Sequence, residues 1–128
     1  MIIGVGIDIV KLKHFQTKMN KGGENFIKKV FSPVECECAQ KLSEARRIGF
    51  FAKRYAAKEA FVKALGTGLG IIGLQDIWVE NKSSGQPVVV LSSRAKKCLK
   101  EKYKHPVHIH VSLSDDEDAI AIIVVEKA

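Results

Sequence analysis

Residues 43–65, SEARRIGFFAKRYAAKEAFVKAL, constrain this chain more than any other stretch. They predict a long helix that stops at Gly66, with Gly49 as a point where it could break. Ala52, Ala56 and Ala60 recur every fourth residue and form a stripe of small side chains. Such a stripe lets another element approach the helix closely. Phe61 and Leu65 supply core contacts. Glu59 stands as an acid among cations, with Lys58 beside it and Lys63 four residues on.

The segments before this helix read as mostly helical, and those after it as mostly extended. Residues 2–10, IIGVGIDIV, are β-branched and apolar except for Asp8, which predicts a buried strand. A short helix over 11–21 comes next, with Leu12, Phe15 and Met19 on one face and Lys11, Lys13, Lys18 and Lys21 on or near the other. Gly22-Gly23 ends it. Residues 24–31 read as a helical turn. In Ser32-Pro33-Val34-Glu35, Ser32 can cap, Pro33 suits the first helical position and Glu35 completes a capping box. This helix is expected to run through Cys36, Ala39 and Leu42. Beyond the glycine-rich loop 66–70, strands are predicted over 74–81, 87–91, 108–114 and 119–126. A basic helix over 94–103, capped by Ser92 or Ser93, interrupts them. Helices early and strands late define an α+β class with a largely antiparallel sheet packed against a long helix. All of residues 1–128 fit one domain.

Net charge is +7, which favours an acidic partner. Aromatic residues are few, and none interleave with the lysine runs as base-stacking platforms require, so nucleic acid is not expected. No segment is long and apolar enough to span a membrane. The three cysteines, Cys36, Cys38 and Cys98, form no metal-binding or disulfide pattern and point to a reducing, cytoplasmic setting.

The chemistry is sought first in Asp8 and Glu59. A hard cation such as Mg2+ takes oxygen ligands, commonly one or two carboxylates plus substrate phosphates, and neighbouring Lys and Arg neutralise the remaining phosphate charge. Each acid also has a plainer reading. Asp8 could cap the helix after it, and Glu59 could form a solvated ion pair with Lys63. Arg54 and Lys58 are like charges at i,i+4, a spacing that is unfavourable unless an anion lies between them. The glycines at 66–70 could bring backbone N–H groups to an anion, or simply end the helix. In a strand, His108, His110, Ser112 and Ser114 share one face, which is either solvent-facing or the wall of a site.

Four segments in this order resemble the holo-[acyl-carrier-protein] synthase family, the small type of 4′-phosphopantetheinyl transferase. They are GVGIDIV at 4–10, FSPVE at 31–35, FFAKRYAAKEAFVKALGTG at 50–68 and HVSLSD at 110–115. The resemblance implies that family's fold and its reaction, Mg2+-dependent transfer of 4′-phosphopantetheine from coenzyme A to a serine of apo acyl carrier protein. Adenosine 3′,5′-bisphosphate is released, and the reaction supports fatty acid biosynthesis. Asp8 and Glu59 match the metal ligands, and Lys63 matches the lysine expected at the coenzyme phosphates. Arg54, Gly66, Thr67, Gly68, Pro87, His110 and Ser112 match segments resembling nucleotide-binding walls. The resemblance also implies a homotrimer with active sites at subunit interfaces.

Physically, phosphoryl-type transfer needs charge neutralisation and positioning more than covalent help. The serine proton could go to Glu59 or to water on the ion. The lysines of the first helical region, beside Asp8, form the expected docking face for an acidic carrier. Lys11 and His14 depart from the resemblance, which has an acid and an arginine there, and His14 would be only partly charged near neutrality.

Overall fold

The computed structural model describes residues 1–66, 70 and 72–128. Strand β1 (Ile2–Lys11) leads directly into helix α1 (Leu12–Val30), and α2 (Pro33–Gln40) and α3 (Glu44–Leu65) come after it. Strands β2 (Ile77–Asn81) and β3 (Pro87–Leu91) form a hairpin. Helix α4 (Ser93–Tyr103) then leads to β4 (Val107–Asp115) and β5 (Asp118–Lys127). All pairings are antiparallel. One sheet has the order β1-β5-β4, and β2 pairs with β3 in a second. The α+β reading therefore holds, with the strands divided between two sheets.

Alternation in β1 explains how α3 comes to lie on it. Gly4, Gly6 and Asp8 share one strand face. A Cβ at Gly6 would stand 1.9 Å from the Ala60 carbonyl oxygen, and one at Gly4 would stand 2.4 Å from that of Ala64. Only glycine lets the helix backbone come this close. On the helix side, Ala52, Ala56 and Ala60 are fully buried, as the four-residue stripe predicts. Ala119, Ala121, Ile123 and Val125 of β5 extend the same buried face. Phe61 lies in this core, while Phe15, Val30, Phe31 and Phe51 form a second cluster under α1 and α2.

Four local expectations change. The predicted end at Gly22-Gly23 is a kink: Gly23 takes φ 56°, ψ −143°, and helix resumes to Val30. Phe26, in the resumed half, packs edge-on against Phe15 at 6.0 Å, which holds that half in place. Helix α2 ends at Gln40 rather than continuing through Leu42, because Ser43 starts the cap of α3. Helix α3 runs through Gly49 unbroken. An internal glycine costs only about 1 kcal/mol, and flanking turns are held by buried Phe51 and Ala52. Residues Leu74–Asp76 form a 3-10 turn instead of strand. The Asp76 carboxylate accepts the Gly73 N–H at 2.8 Å and closes that turn.

Asp76 also ties α4 to the hairpin. It accepts hydrogen bonds from Ser92 Oγ at 2.8 Å and Arg94 Nη2 at 2.6 Å, and Ser92 in turn caps α4 through Ala95 N–H. Burial alone would raise the Asp76 carboxyl, but the hydrogen bonds from Arg94, Gly73 and Ser92 outweigh it and hold the group below its usual range. A depressed folded-state value stabilises the fold fully above the unfolded pKa of about 3.9. That contribution is lost as pH falls through the lower, folded value. Asp76→Asn is expected to cost about 1–3 kcal/mol at pH 7. The deficit should shrink below about pH 4, measured by urea unfolding across a pH series.

Candidate active site

Asp8 leaves β1 on the face covered by α3, one alternation beyond Gly6. It does not cap α1, whose N-cap is Lys11 and which has no side-chain cap. Its Oδ1 instead accepts a hydrogen bond from Lys63 Nζ at 3.0 Å, and the same ammonium donates to the Ile7 carbonyl at 3.0 Å. Lys63 thus bridges to β1 rather than pairing with Glu59 on its own helix. Its side chain is 57% exposed against 18% for Asp8, so the ammonium is free to turn towards a ligand.

Glu59 is half-buried. It makes no hydrogen bond or ion pair among the described residues. It opens onto a cleft of about 340 Å³ shared with Asp8, Lys11, His14, Lys18 and Tyr55. A carboxylate held beside a second carboxylate, with no cation of its own, is an electrostatically incomplete arrangement. Among the described residues no group of three or more His, Cys, Asp or Glu side chains converges. A cation between Asp8 and Glu59 would therefore complete its shell with water or substrate oxygens, the usual habit of Mg2+.

About 100° round α3 from Glu59, Lys58 is fully buried. It donates to Glu35 Oε1 at 2.7 Å, to the Leu74 carbonyl at 3.0 Å and to the Ile77 carbonyl. Glu35 is the capping-box residue of α2, accepting Ser32 N–H at 3.0 Å. It is the anion that the Arg54–Lys58 spacing calls for. Burial pulls both cations below their usual range, and Glu35 opposes that pull at each. Lys58 is turned into this network, and Glu59, the next residue, faces the cleft. Cys36, beside it, is no primed nucleophile, since burial and then Glu35 push its thiol up.

The remaining sequence candidates lie elsewhere on the chain. Arg54 is buried, stacked 3.7 Å over the Phe50 ring, with Nη2 donating to Asn81 Oδ1 at 3.4 Å. Asn81 pairs with Pro87 across the β2–β3 hairpin, so Arg54 and Pro87 belong to one neighbourhood. His110 and Ser112 are exposed on β4, and His110 Nε2 meets Glu126 Oε1 at 3.0 Å, which holds that carboxyl below its usual range. None of these four lines the Asp8–Glu59 cleft. Gly66 caps α3 at φ 77°. Thr67 and Gly68 lie outside the described residues. Sequence reasoning missed Tyr55 as a cleft wall, because an aromatic in a helix reads equally well as core.

The class of this protein is defined by a family model described as the 4′-phosphopantetheinyl transferase superfamily, which matches residues 4–123. A holo-[acyl-carrier-protein] synthase of Zymomonas mobilis is 46% identical over 98% of this chain and 97% of its own length. The crystal structure of the Neisseria meningitidis holo-[acyl-carrier-protein] synthase superposes with a TM-score of 0.88, at 32% identity, over 99% of this chain and 100% of that one. That of Bacillus anthracis, in complex with CoA (3′,5′-ADP), gives 0.81 at 32% identity over 100% and 99%. The chain belongs to the holo-[acyl-carrier-protein] synthase family, enzymes of the phosphopantetheinyl transferase class.

Proposed function

We propose that this chain, acting as one domain over residues 1–128, transfers 4′-phosphopantetheine from coenzyme A to a serine of apo acyl carrier protein. Adenosine 3′,5′-bisphosphate is released, and the reaction serves cytoplasmic fatty acid biosynthesis. The observation that carries this reading is the Glu59 carboxylate, without a partner among the described residues, opening onto one cleft with Asp8 and a rim of Lys11, His14 and Lys18. Asp8 and Glu59 fit Mg2+ by donor type, and the ion would supply neutralisation of the coenzyme's pyrophosphate. Lys63 turns its exposed ammonium from Asp8 to a phosphate oxygen, where it acts as a point charge. The serine proton would go to Glu59 or to a water held at the Asp8–Glu59 cleft. The basic rim offers an acidic carrier a surface that steers its approach.

The test is direct. With coenzyme A, Mg2+ and apo carrier, the carrier is expected to gain the phosphopantetheine mass by mass spectrometry, and to gain none in EDTA. No gain with several carriers tried would remove this reading.

We further propose a homotrimer whose sites are completed across subunits. Val5, Ile7 and Ile9 of β1 are 56–60% exposed, and they pair with Val124, Ile122 and Ile120 of β5. His110, Ser112 and Ser114 continue that face on β4. An apolar strip of this kind calls for a partner. A neighbouring copy seated there would bring its own groups to the cleft, which supports a role for His110, Ser112, Arg54 and Pro87 despite their distance from it in one chain. Ile7→Lys with Ile9→Lys is expected to yield monomers by light scattering and to lower activity at least tenfold. A fully active monomer would exclude the trimer.

A further inference from the structure

A second and larger cavity lies away from the Asp8–Glu59 cleft, between α4 and the edges of β3 and β4. It is about 1090 Å³, and none of the residues matched to the family's site lines it. Strand β4 ends its sheet and β3 pairs with β2, and β3 and β4 lie against each other beneath α4. Its floor is apolar: Val89, Leu91, Leu99, Val107 and Ile109. Its rim carries Lys96, Lys97, Lys100 and Lys104 against a single acid, Glu101.

The lysines are the informative part. Lys96 and Lys100 stand four residues apart on α4, so their side chains share one ridge, and Lys104 ends the helix beside it as a left-handed cap at φ 59°. All three are exposed, and among the described residues none makes an ion pair. Like charges at this spacing disfavour the helix unless an anion lies among them. An apolar trough under an unneutralised cationic ridge matches a molecule with one anionic end and one hydrocarbon end. Pockets of about 300–1,000 Å³ hold single small-molecule ligands, and this groove is slightly larger than that range. A strongly hydrated lysine ammonium suits a phosphate or carboxylate head as a point charge.

We propose that this groove binds one molecule of an anionic single-chain amphiphile, an alkyl or acyl chain ending in phosphate or carboxylate. The chain lies along Val89, Leu91 and Val107, and the head meets Lys96 and Lys100. The site is separate from the coenzyme cleft, and the inference stands whether or not the proposed reaction does.

The probe is dodecyl phosphate below its micelle concentration, measured by isothermal titration with the full chain. Saturable binding at one per chain is expected, with dodecanol and inorganic phosphate each at least tenfold weaker. Lys96→Glu with Lys100→Glu, both on the exposed ridge, is expected to weaken dodecyl phosphate at least tenfold. Melting temperature and assembly size should stay unchanged. Equal binding of dodecanol, or equal binding by the variant, would overturn the proposal. So would capture by phosphatidylglycerol vesicles without binding of monomeric dodecyl phosphate, which would make the ridge a membrane contact. A change of assembly size in the variant would make the groove an interface between copies, and would equally defeat it.

Discussion

Glu59→Gln is expected to remove nearly all transfer activity, a loss on the order of a hundred- to a thousandfold, while the protein stays folded. The substitution keeps the shape of the side chain and deletes its charge. Because Glu59 makes no hydrogen bond or ion pair among the described residues, its charge holds no other group in place. Stability should therefore change by no more than about 0.5 kcal/mol, as for other replacements outside the packed core. The loss would fall on the step that needs a second carboxylate at the cleft, so kcat should drop, and Mg2+ binding measured by calorimetry should weaken with it. Near-normal turnover by this variant would mean that Glu59 is not a ligand.

The second large effect belongs to Lys58→Met, at the position just before Glu59 on α3. Here the expected loss is in stability, about 3–5 kcal/mol, a substantial share of the roughly 5–15 kcal/mol typical of a folded domain. Met matches the lysine stem but leaves Glu35, 1% exposed, without its cation. The carbonyls of Leu74 and Ile77 lose their donor as well. Among the described residues one Glu35 oxygen already lacks a hydrogen-bond partner in the native fold, so losing the Lys58 ammonium would strip the buried carboxylate of its only side-chain donor there. Adding Glu35→Gln to Lys58→Met should recover part of the loss, since replacing both members of a buried pair is gentler than removing one. Urea unfolding of the two single variants and the double gives the coupling. A cost under about 1 kcal/mol for Lys58→Met would mean that packing alone fixes the rotation of α3.

The neighbouring positions 58 and 59 show why some roles were legible in the sequence and others were not. Successive residues on a helix point about 100° apart, so one of the pair turns to the core and the other to the cleft. Sequence spacing alone marked Glu59 as unusual and the Arg54–Lys58 pair as needing an anion. It did not say that the anion was Glu35, because Glu35 had an adequate local role in its capping box, and that box is present. The same holds for Lys63. Its i,i+4 position made Glu59 the expected partner, yet the strand beneath α3 offered Asp8 at 3.0 Å. Local rules rank neighbours along one element and do not see the element packed against it.

The chain by itself determined most of its elements: the period-two strands, the alanine-striped helix, the Ser32–Glu35 cap, a cap at Ser92 or Ser93, and an interruption at Gly22-Gly23. It also set the family, through motifs that carry their own spacing. Those depend on backbone preference and side-chain period, which act within a few residues. Only the tertiary structure decided that Gly4 and Gly6 let α3 settle onto β1, which brings Asp8 and Glu59, 51 positions apart in the sequence, to one cleft. It likewise decided that Arg54 is buried and that an apolar face of β1 stays exposed. Closeness in space between distant segments depends on how two whole surfaces fit together, and no short window of residues contains that information.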